Sequence, residues 1–149
     1  KKIIFKADWE KADRNHKISK VIIEKMIYSI LPNKKLVYQQ VISGGCANIN
    51  VKIRFAGDDT LFILRIYLRD KEAVYREKEV SKLVKKQIPV PEIYYIGDYE
   101  GYCFAIAEFM KGSTLRDLLL SDKDHDVENI MCDLGSLLAK ITKYTFPNT

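Results

Sequence analysis

Residues 41–77 constrain the fold of this chain more than any other stretch of its sequence. Apolar and polar side chains alternate along Asn50–Phe55, which is the period-two pattern of a strand with one buried face. The turn residues Gly57-Asp58-Asp59 separate this strand from a second apolar run, Leu61–Leu68, so the two runs predict a hairpin. The preceding run, Val37–Ile42, ends at a Ser-Gly-Gly turn and predicts one more strand beside the hairpin.

The remaining segments complete an α+β fold. Apolar spacing and capping residues predict helices over about 19–31, about Lys71–Gln87, Leu115–Leu120 and about Asp126–Tyr144. Two further strands are predicted at Ile93–Ile96 and Tyr102–Phe109, on either side of a polar turn, Gly97–Gly101. The order strand, strand, strand, helix, strand, strand predicts a five-stranded antiparallel sheet with one packed helix. The predicted apolar stripe of that helix consists of Ala73, Val80, Val84 and Ile88.

Two charged residues fall where apolar residues are expected. Arg65 lies in the third strand, which is otherwise apolar on both faces apart from the tip of Tyr67. Glu77 falls inside the apolar stripe of the following helix. Because a buried charge is costly unless it is paired, mutual pairing of Arg65 and Glu77 is the simplest solution. The alternative is that Arg65 reaches solvent at a rim and Glu77 lies at the edge of its stripe.

The loop from Ser43 to Asn48 is a candidate phosphate-binding loop. Glycine allows backbone N–H groups to approach phosphate oxygens closely. Taken alone, Gly44 and Gly45 fit an ordinary hairpin turn better. The order of features favours the phosphate interpretation, because a glycine loop, a strand cation and a helix carboxylate are the parts with which kinases hold nucleotide phosphates.

Composition excludes several other classes of protein. The 25 Lys and Arg against 20 Asp and Glu give a net charge of +5, but the lysines are scattered and do not alternate with aromatic residues, so no nucleic-acid partner is expected. Cys46, Cys103 and Cys132 show no metal-ligand spacing and favour a reducing compartment, hence the cytoplasm. No apolar run approaches the ~20 residues of a membrane helix, so no membrane partner is expected.

The chain resembles the N-terminal lobe of the aminoglycoside phosphotransferase and choline kinase-like family, which has a protein-kinase-like fold. The resemblance covers about Ser19 to Ile141. It implies a nucleotide-binding lobe over 1–110 and, over 111–149, a hinge or linker with the first helices of a truncated second lobe. The matching segments are ISGGCANINVKIRF, FILRIY, YREKEV, QIPVPEIYYIGDYEGYCFAIAEFMKGSTL and LGSLLAKI.

The resemblance also implies a role for each matching residue. Arg65 would contact the α- and β-phosphates, Glu77 would hold Arg65, and the backbone of Ala107–Met110 would bind the purine as a hinge. Ala47 stands where family members often have serine, which puts a hydroxyl contact to phosphate in doubt, although backbone donors would survive. The implied ligand is ATP or GTP with Mg²⁺, bound by Ser43, Gly44, Gly45, Asn48, Arg65, Glu77, Ala107, Glu108, Phe109 and Met110.

The 149 residues contain no His-x-Asp-x-x-x-x-Asn catalytic loop. Asp124 and Asn129 have the Asp-to-Asn spacing, but Asp122 stands where histidine is required, and Asp124 and Asp126 are better interpreted as capping residues. We therefore expect a fragment without catalytic or metal-binding residues of its own. In the full enzyme, Mg²⁺ ligands would lie in the missing lobe, and the acceptor would be a hydroxyl group of a small molecule.

Two alternatives stay open from the sequence. The first is a non-catalytic module, a degenerate kinase lobe that binds nucleotide or protein. The apolar stripe along Val127–Ile141, which is wider than the preceding short helix could cover, would then dock a partner or self-associate. The second alternative is a plain α+β interaction domain without a nucleotide site.

Overall fold

The computed structural model describes residues 18–42, 48–121 and 125–144. Over these residues, the strands form one sheet in the order β1-β2-β3-β5-β4, and all neighbouring strands are antiparallel. The predicted α+β fold with a five-stranded antiparallel sheet is therefore confirmed. The elements are α1 (Lys20–Ile30), β1 (Leu36–Ile42), β2 (Asn48–Phe55), β3 (Phe62–Tyr67), α2 (Ala73–Val84), β4 (Ile93–Tyr99), β5 (Tyr102–Glu108), α3 (Leu115–Leu120) and α4 (Val127–Ile141).

The described residues group into two compact units. The first takes the described residues up to Lys78 together with Glu92–Phe109, and so holds α1 and all five strands. The second takes Glu79–Pro91 and the described residues from Met110 onward, and so holds α3 and α4. The predicted domain division between residues 110 and 111 stays a prediction.

Helix α1 packs on one face of the sheet, which we call the α1 face. Ser19 is its N-cap, and the Ser19 Oγ accepts a hydrogen bond from the N–H of Ile22 at 3.3 Å, an interaction typically worth about 1 kcal/mol. The helix buries Ile23, Met26 and Ile27 almost completely. The strand residues in this core are Val51, Ile53, Phe55, Leu64, Ile66, Phe104 and Ile106.

The opposite face of the sheet packs on the start of α2, and we call it the α2 face. Tyr67 and Cys103 form a second apolar cluster with Val74 of the helix. Val74 is fully buried, whereas Val80, predicted to lie in the buried stripe, is 39% exposed. The prediction was wrong at Val80 because two adjacent stripes of this helix include Val84, one through Val80 and the other through Val74. The contact of Val74 with the sheet determines that the stripe through Val74 is the buried one.

Strand β4 is longer than the sequence predicted. Gly97 and Asp98 were assigned to a polar turn, but they continue the strand and pair with β5. The turn consists of Glu100 and Gly101, whose φ angles of 49° and 80° are those of a two-residue hairpin loop. The assignment of Gly97 to a turn was wrong because this glycine makes room for packing: an added Cβ would lie 2.6 Å from Cζ of Phe104.

We expect Gly97→Ala to lower the free energy of unfolding by about 1–3 kcal/mol, the usual cost of overpacking a core. The new methyl would also lie 2.8 Å from Cγ2 of Ile30, and the fully buried Phe104 ring has little room to move. Urea unfolding followed by circular dichroism measures the change. The matched control is Gly135→Ala in α4, where an added Cβ meets nothing within 4 Å. A neutral Gly97→Ala variant would contradict the packing explanation.

Helices α3 and α4 begin at side-chain caps. Thr114 Oγ1 accepts from the N–H of Asp117, and Asp126 Oδ1 accepts from the N–H of Asn129, both at 3.0 Å. The predicted capping role of Asp126 is confirmed, whereas Asp124 lies outside the described residues. No residue of α4 is buried. The predicted self-association through the Val127–Ile141 stripe stays a prediction.

Candidate functional site

The α2 face of the sheet presents Arg65 from its central strand. Side chains alternate between the two faces of a strand, so Ile63, Arg65 and Tyr67 of β3 share this face. Strand β2 places Asn50 directly opposite Arg65, and β5 places Ala105 opposite it on the other side. The guanidinium therefore starts between a polar neighbour and an apolar one.

Arg65 binds two partners that come from different elements. Its Nη1 donates to Oε2 of Glu77 at 2.9 Å, and its Nε donates to Oδ1 of Asn50 at 3.1 Å. The same oxygen of Glu77 accepts a hydrogen bond from the Tyr67 hydroxyl at 2.7 Å. We call these four residues the Arg65 cluster. The pairing of Arg65 with Glu77 that the sequence predicted is present in the structure.

The Arg65 cluster lies at the border of the core and not inside it. The side chains of Arg65 and Glu77 are 37% and 38% exposed, whereas Tyr67 is buried. The structure thus combines the predicted pairing with the exposure at a rim that the alternative described. An ion pair this exposed contributes only about 0–1 kcal/mol, so stability gives a weak reason for it. The same exposure leaves the guanidinium accessible to a ligand.

The Tyr67 hydroxyl is held in its protonated form. Burial raises the pKa of Tyr67 well above the usual range, and the hydrogen bond to Glu77 and the charge of Glu77 raise it further. The positive charge of Arg65 opposes this rise, though by less. Tyr67 therefore donates its proton to Glu77 in a hydrogen bond across the physiological pH range.

We expect this tyrosine to make the protein less stable above pH 10. The folded pKa of Tyr67 is raised above its ordinary value of 10.0, so the stabilisation is fully present below pH 10 and is lost as the pH rises from there. The free energy of unfolding should be measured by urea titration across this range for the wild type and Tyr67→Phe. Above pH 10 the wild type should lose stability relative to Tyr67→Phe, which has no hydroxyl to ionise at this position. A difference that stays constant would contradict the expectation.

An apolar surface adjoins the Arg65 cluster on the α2 face. Ile63 lies two residues before Arg65 on the same face of β3. It pairs with Ala107 on β5 and with Lys52 on β2. Both Ile63 and Ala107 are partly exposed. The Lys52 ammonium lies 4.7 Å from the centroid of the Phe109 ring, a cation–π contact worth about 0.5–1 kcal/mol at such a site. A planar ring could therefore lie on apolar side chains next to a cation.

The backbone at the end of β5 is partly occupied. The N–H of Glu108 donates to the carbonyl of Glu92 at 2.8 Å, and Glu108 Oε2 accepts from the N–H of Glu92 at 3.3 Å. Since Glu108 uses its N–H in this way, a donor for a ligand must come from elsewhere in the predicted hinge. Phe109 and Met110 are the next candidates along the chain.

The predicted phosphate loop lies largely outside the described residues. Ser43, Gly44 and Gly45 fall within 43–47, so their contacts with a nucleotide stay a prediction. Asn48 begins β2 directly opposite Tyr67 and is partly buried. It therefore lies on the α2 face, two residues before Asn50 on β2.

Sequence reasoning missed two members of the Arg65 cluster. Tyr67 follows Arg65 by two residues, so strand alternation already placed both on one face. Asn50 carried no such signal, because its position opposite Arg65 depends on the register between β2 and β3. That register is a property of the folded hairpin.

Comparison with known protein families identifies the family of this chain. Residues 39–149 match the family described as phosphotransferase enzyme family, which is more than half of the chain. The chain belongs to this phosphotransferase family. A comparison with curated proteins found no significant match.

Several solved structures of low sequence identity share the fold of this member of the phosphotransferase family. Aminoglycoside phosphotransferase APH(4)-Ia superposes with a TM-score of 0.67 at 18% identity, over 85% of this chain and 40% of that one. Its thermostable N203A mutant, solved with AMP-PNP and hygromycin B, gives 0.64 at 18% identity over 83% and 39%. Spectinomycin phosphotransferase APH(9)-Ia, solved with ADP and spectinomycin, gives 0.60 at 10% identity over 87% and 39%. The chain thus spans about two fifths of each relative and has the kinase-like N-lobe fold.

The Mg²⁺ that the family resemblance predicted stays a prediction, and its ligands were expected in a lobe beyond the described residues. Among them, no group of three or more His, Cys, Asp or Glu side chains is placed to hold a metal ion. We therefore assign no step to a metal bound by these residues. No helix in the described ranges has the length and apolar character needed to span a membrane.

Proposed function

We propose that this chain is the nucleotide-binding lobe of a small-molecule phosphotransferase that uses ATP or GTP. The observation that carries the proposal is the Arg65 cluster, a cation held by a helix carboxylate on the third strand of a family-matched sheet. Two relatives with this fold were solved with AMP-PNP or ADP, which supports a nucleotide as the ligand.

In this proposal Arg65 binds the phosphates. A guanidinium forms charge-assisted hydrogen bonds with phosphate that are roughly twice as strong as neutral ones. Glu77 directs the guanidinium without burying it, since both side chains remain more than a third exposed. The net charge of +5 adds a mild field that favours an anionic ligand.

The base would lie on the apolar surface beside the cluster. Ile63 and Ala107 supply apolar contact, and the Lys52–Phe109 pair borders this surface. We assign the backbone donor for the purine to Phe109 or Met110, because the N–H of Glu108 already donates to Glu92. The loop 43–48 would then cover the phosphates with its backbone N–H groups.

We assign binding, and not phosphoryl transfer, to these residues. Transfer requires a catalytic base and metal-binding acids, and the His-x-Asp-x-x-x-x-Asn arrangement does not occur in the 149 residues. In the whole protein the acceptor would be a hydroxyl group of a small molecule. Hygromycin B and spectinomycin, which accompany the nucleotide in two relatives, are examples of such a class.

Isothermal titration calorimetry of the 149-residue chain with Mg-ATP, Mg-GTP and adenosine tests the proposal. We expect saturable binding of at least one triphosphate and weaker binding of adenosine, which lacks the phosphates that Arg65 would contact. The comparison of ATP with GTP identifies the preferred base. Absence of binding by both triphosphates at millimolar concentration would contradict the proposed function.

A further inference from the structure

We propose that Asn50 and Tyr67 are positioning residues that orient the Arg65 guanidinium for phosphate binding. This inference rests on the proposed nucleotide function and assigns roles to two residues outside the Arg65–Glu77 pair. Neither residue is proposed to touch the nucleotide. Each is proposed to act through a hydrogen bond within the Arg65 cluster.

The two hydrogen bonds of Arg65 hold the guanidinium from two sides. An arginine presents five N–H donors in a rigid planar fork. Asn50 on β2 accepts a hydrogen bond from Nε of Arg65, and Glu77 on α2 accepts one from Nη1. Both terminal nitrogens, Nη1 and Nη2, form the outer edge of the fork, and neither of these two bonds uses Nη2. The two bonds hold the plane of the guanidinium, and the Arg65 side chain is 37% exposed and therefore accessible to an anion.

A single ion pair would hold Arg65 poorly. The pair with Glu77 is more than a third exposed on both sides, and an exposed pair gains little over the entropy of fixing two long side chains. Asn50 is part of the β2–β3 ladder directly opposite Arg65, so its amide is a short and fixed second anchor. It removes the rotation about the last side-chain bonds that Glu77 alone would permit.

Tyr67 anchors the other partner. Its ring is buried in the apolar cluster with Val74 and Cys103, so its hydroxyl has a fixed position on β3. That hydroxyl donates to the same Glu77 oxygen that accepts from Arg65. The carboxylate of α2 is thereby tied to the strand that carries the cation. Oε2 of Glu77 therefore links α2 to both Arg65 and Tyr67.

A double-mutant cycle tests the inference. The affinities for ATP and adenosine are measured by calorimetry for the wild type, Asn50→Ala, Tyr67→Phe, Arg65→Ala and the doubles that combine Arg65→Ala with each of the other two. We expect each single change at Asn50 or Tyr67 to weaken ATP on the order of tenfold, as for loss of a hydrogen bond to a charged group. Adenosine should bind unchanged. In the Arg65→Ala background both effects should vanish, because a positioning residue has nothing left to orient.

Matched variants keep the outcomes distinct. Tyr38→Phe removes a hydroxyl that is bonded to Gln40 on the same sheet and should leave ATP affinity unchanged. If Asn50→Ala does not fold, Asn50→Val replaces it, since valine favours strands and lacks the acceptor. An ATP loss that persists without Arg65, an equal loss for adenosine, or no loss at all would overturn the inference while wild-type binding still supported the proposed function. A wild type that binds no nucleotide would overturn both.

Discussion

Replacing Arg65 with alanine is expected to weaken ATP binding by about 10–100-fold, since the loss of a charge-assisted partner costs about 1.5–3 kcal/mol. Adenosine affinity should stay within about twofold, because the change removes a phosphate contact and leaves the apolar surface at Ile63 intact. The free energy of unfolding should fall by about 1 kcal/mol or less, as for other exposed ion pairs. Calorimetry and urea unfolding on the same preparation separate these two effects.

The matched control for this prediction is Arg54→Ala. Arg54 lies on the neighbouring strand β2, is 42% exposed, and contacts the fully exposed Asp59 at 3.9 Å. It removes the same charge from the same sheet without touching the Arg65 cluster. A comparable loss of ATP affinity in both variants would mean that net charge, and not the held guanidinium, determines binding. An unchanged affinity in Arg65→Ala would contradict the assigned phosphate contact directly.

Phe104→Ala is expected to lower the free energy of unfolding by about 3–5 kcal/mol, the usual cost of removing a buried aromatic ring. Phe104 is fully buried on the α1 face, where it shares a core with Met26 and Ile66. The cost is large because Gly97 has no side chain with which to fill the space. At temperatures where the variant is folded, its ATP affinity should match that of the wild type, since Arg65 lies on the other face.

Tyr28→Ala provides the control for the core substitution. Tyr28 is an aromatic residue on α1 that is 66% exposed, so its removal should change the free energy of unfolding by no more than about 0.5 kcal/mol. Urea unfolding by circular dichroism measures both variants. A loss at Phe104 no larger than that at Tyr28 would contradict the placement of the core between α1 and the sheet.

The sequence predicted two residues of the candidate site, Arg65 and Glu77, but gave no signal for Asn50. Arg65 and Glu77 were identified because a charge in an apolar strand and a charge in an apolar stripe each violate a local pattern. Their partnership followed from the cost of an unpaired charge. Asn50 violates no pattern, because a polar residue belongs on the exposed side of its strand. Its role depends on the β2–β3 register, which a single strand does not encode.

The same distinction explains the errors in the elements. Gly97 was assigned to a turn since glycine marks turns in most sequences, whereas here the Phe104 ring occupies the space beside it. Val80 was assigned to the buried stripe because periodicity alone cannot choose between two overlapping faces of a helix. Val74 was selected instead by its contact with Tyr67 and Cys103. Both choices are made by neighbours that are distant along the chain.

The sequence by itself determined the class of fold, the order of its strands and helices along the chain, and the two charges at the centre of the candidate site. These follow from periodicity, turn residues and the desolvation cost of charge, which act within a few residues of each other. Only the tertiary structure decided which side chains meet Arg65 and how far the cluster opens to solvent. Those features depend on sheet register and on the contact of α2 with β3 and β5, because packing energies arise between segments that the chain brings together only on folding.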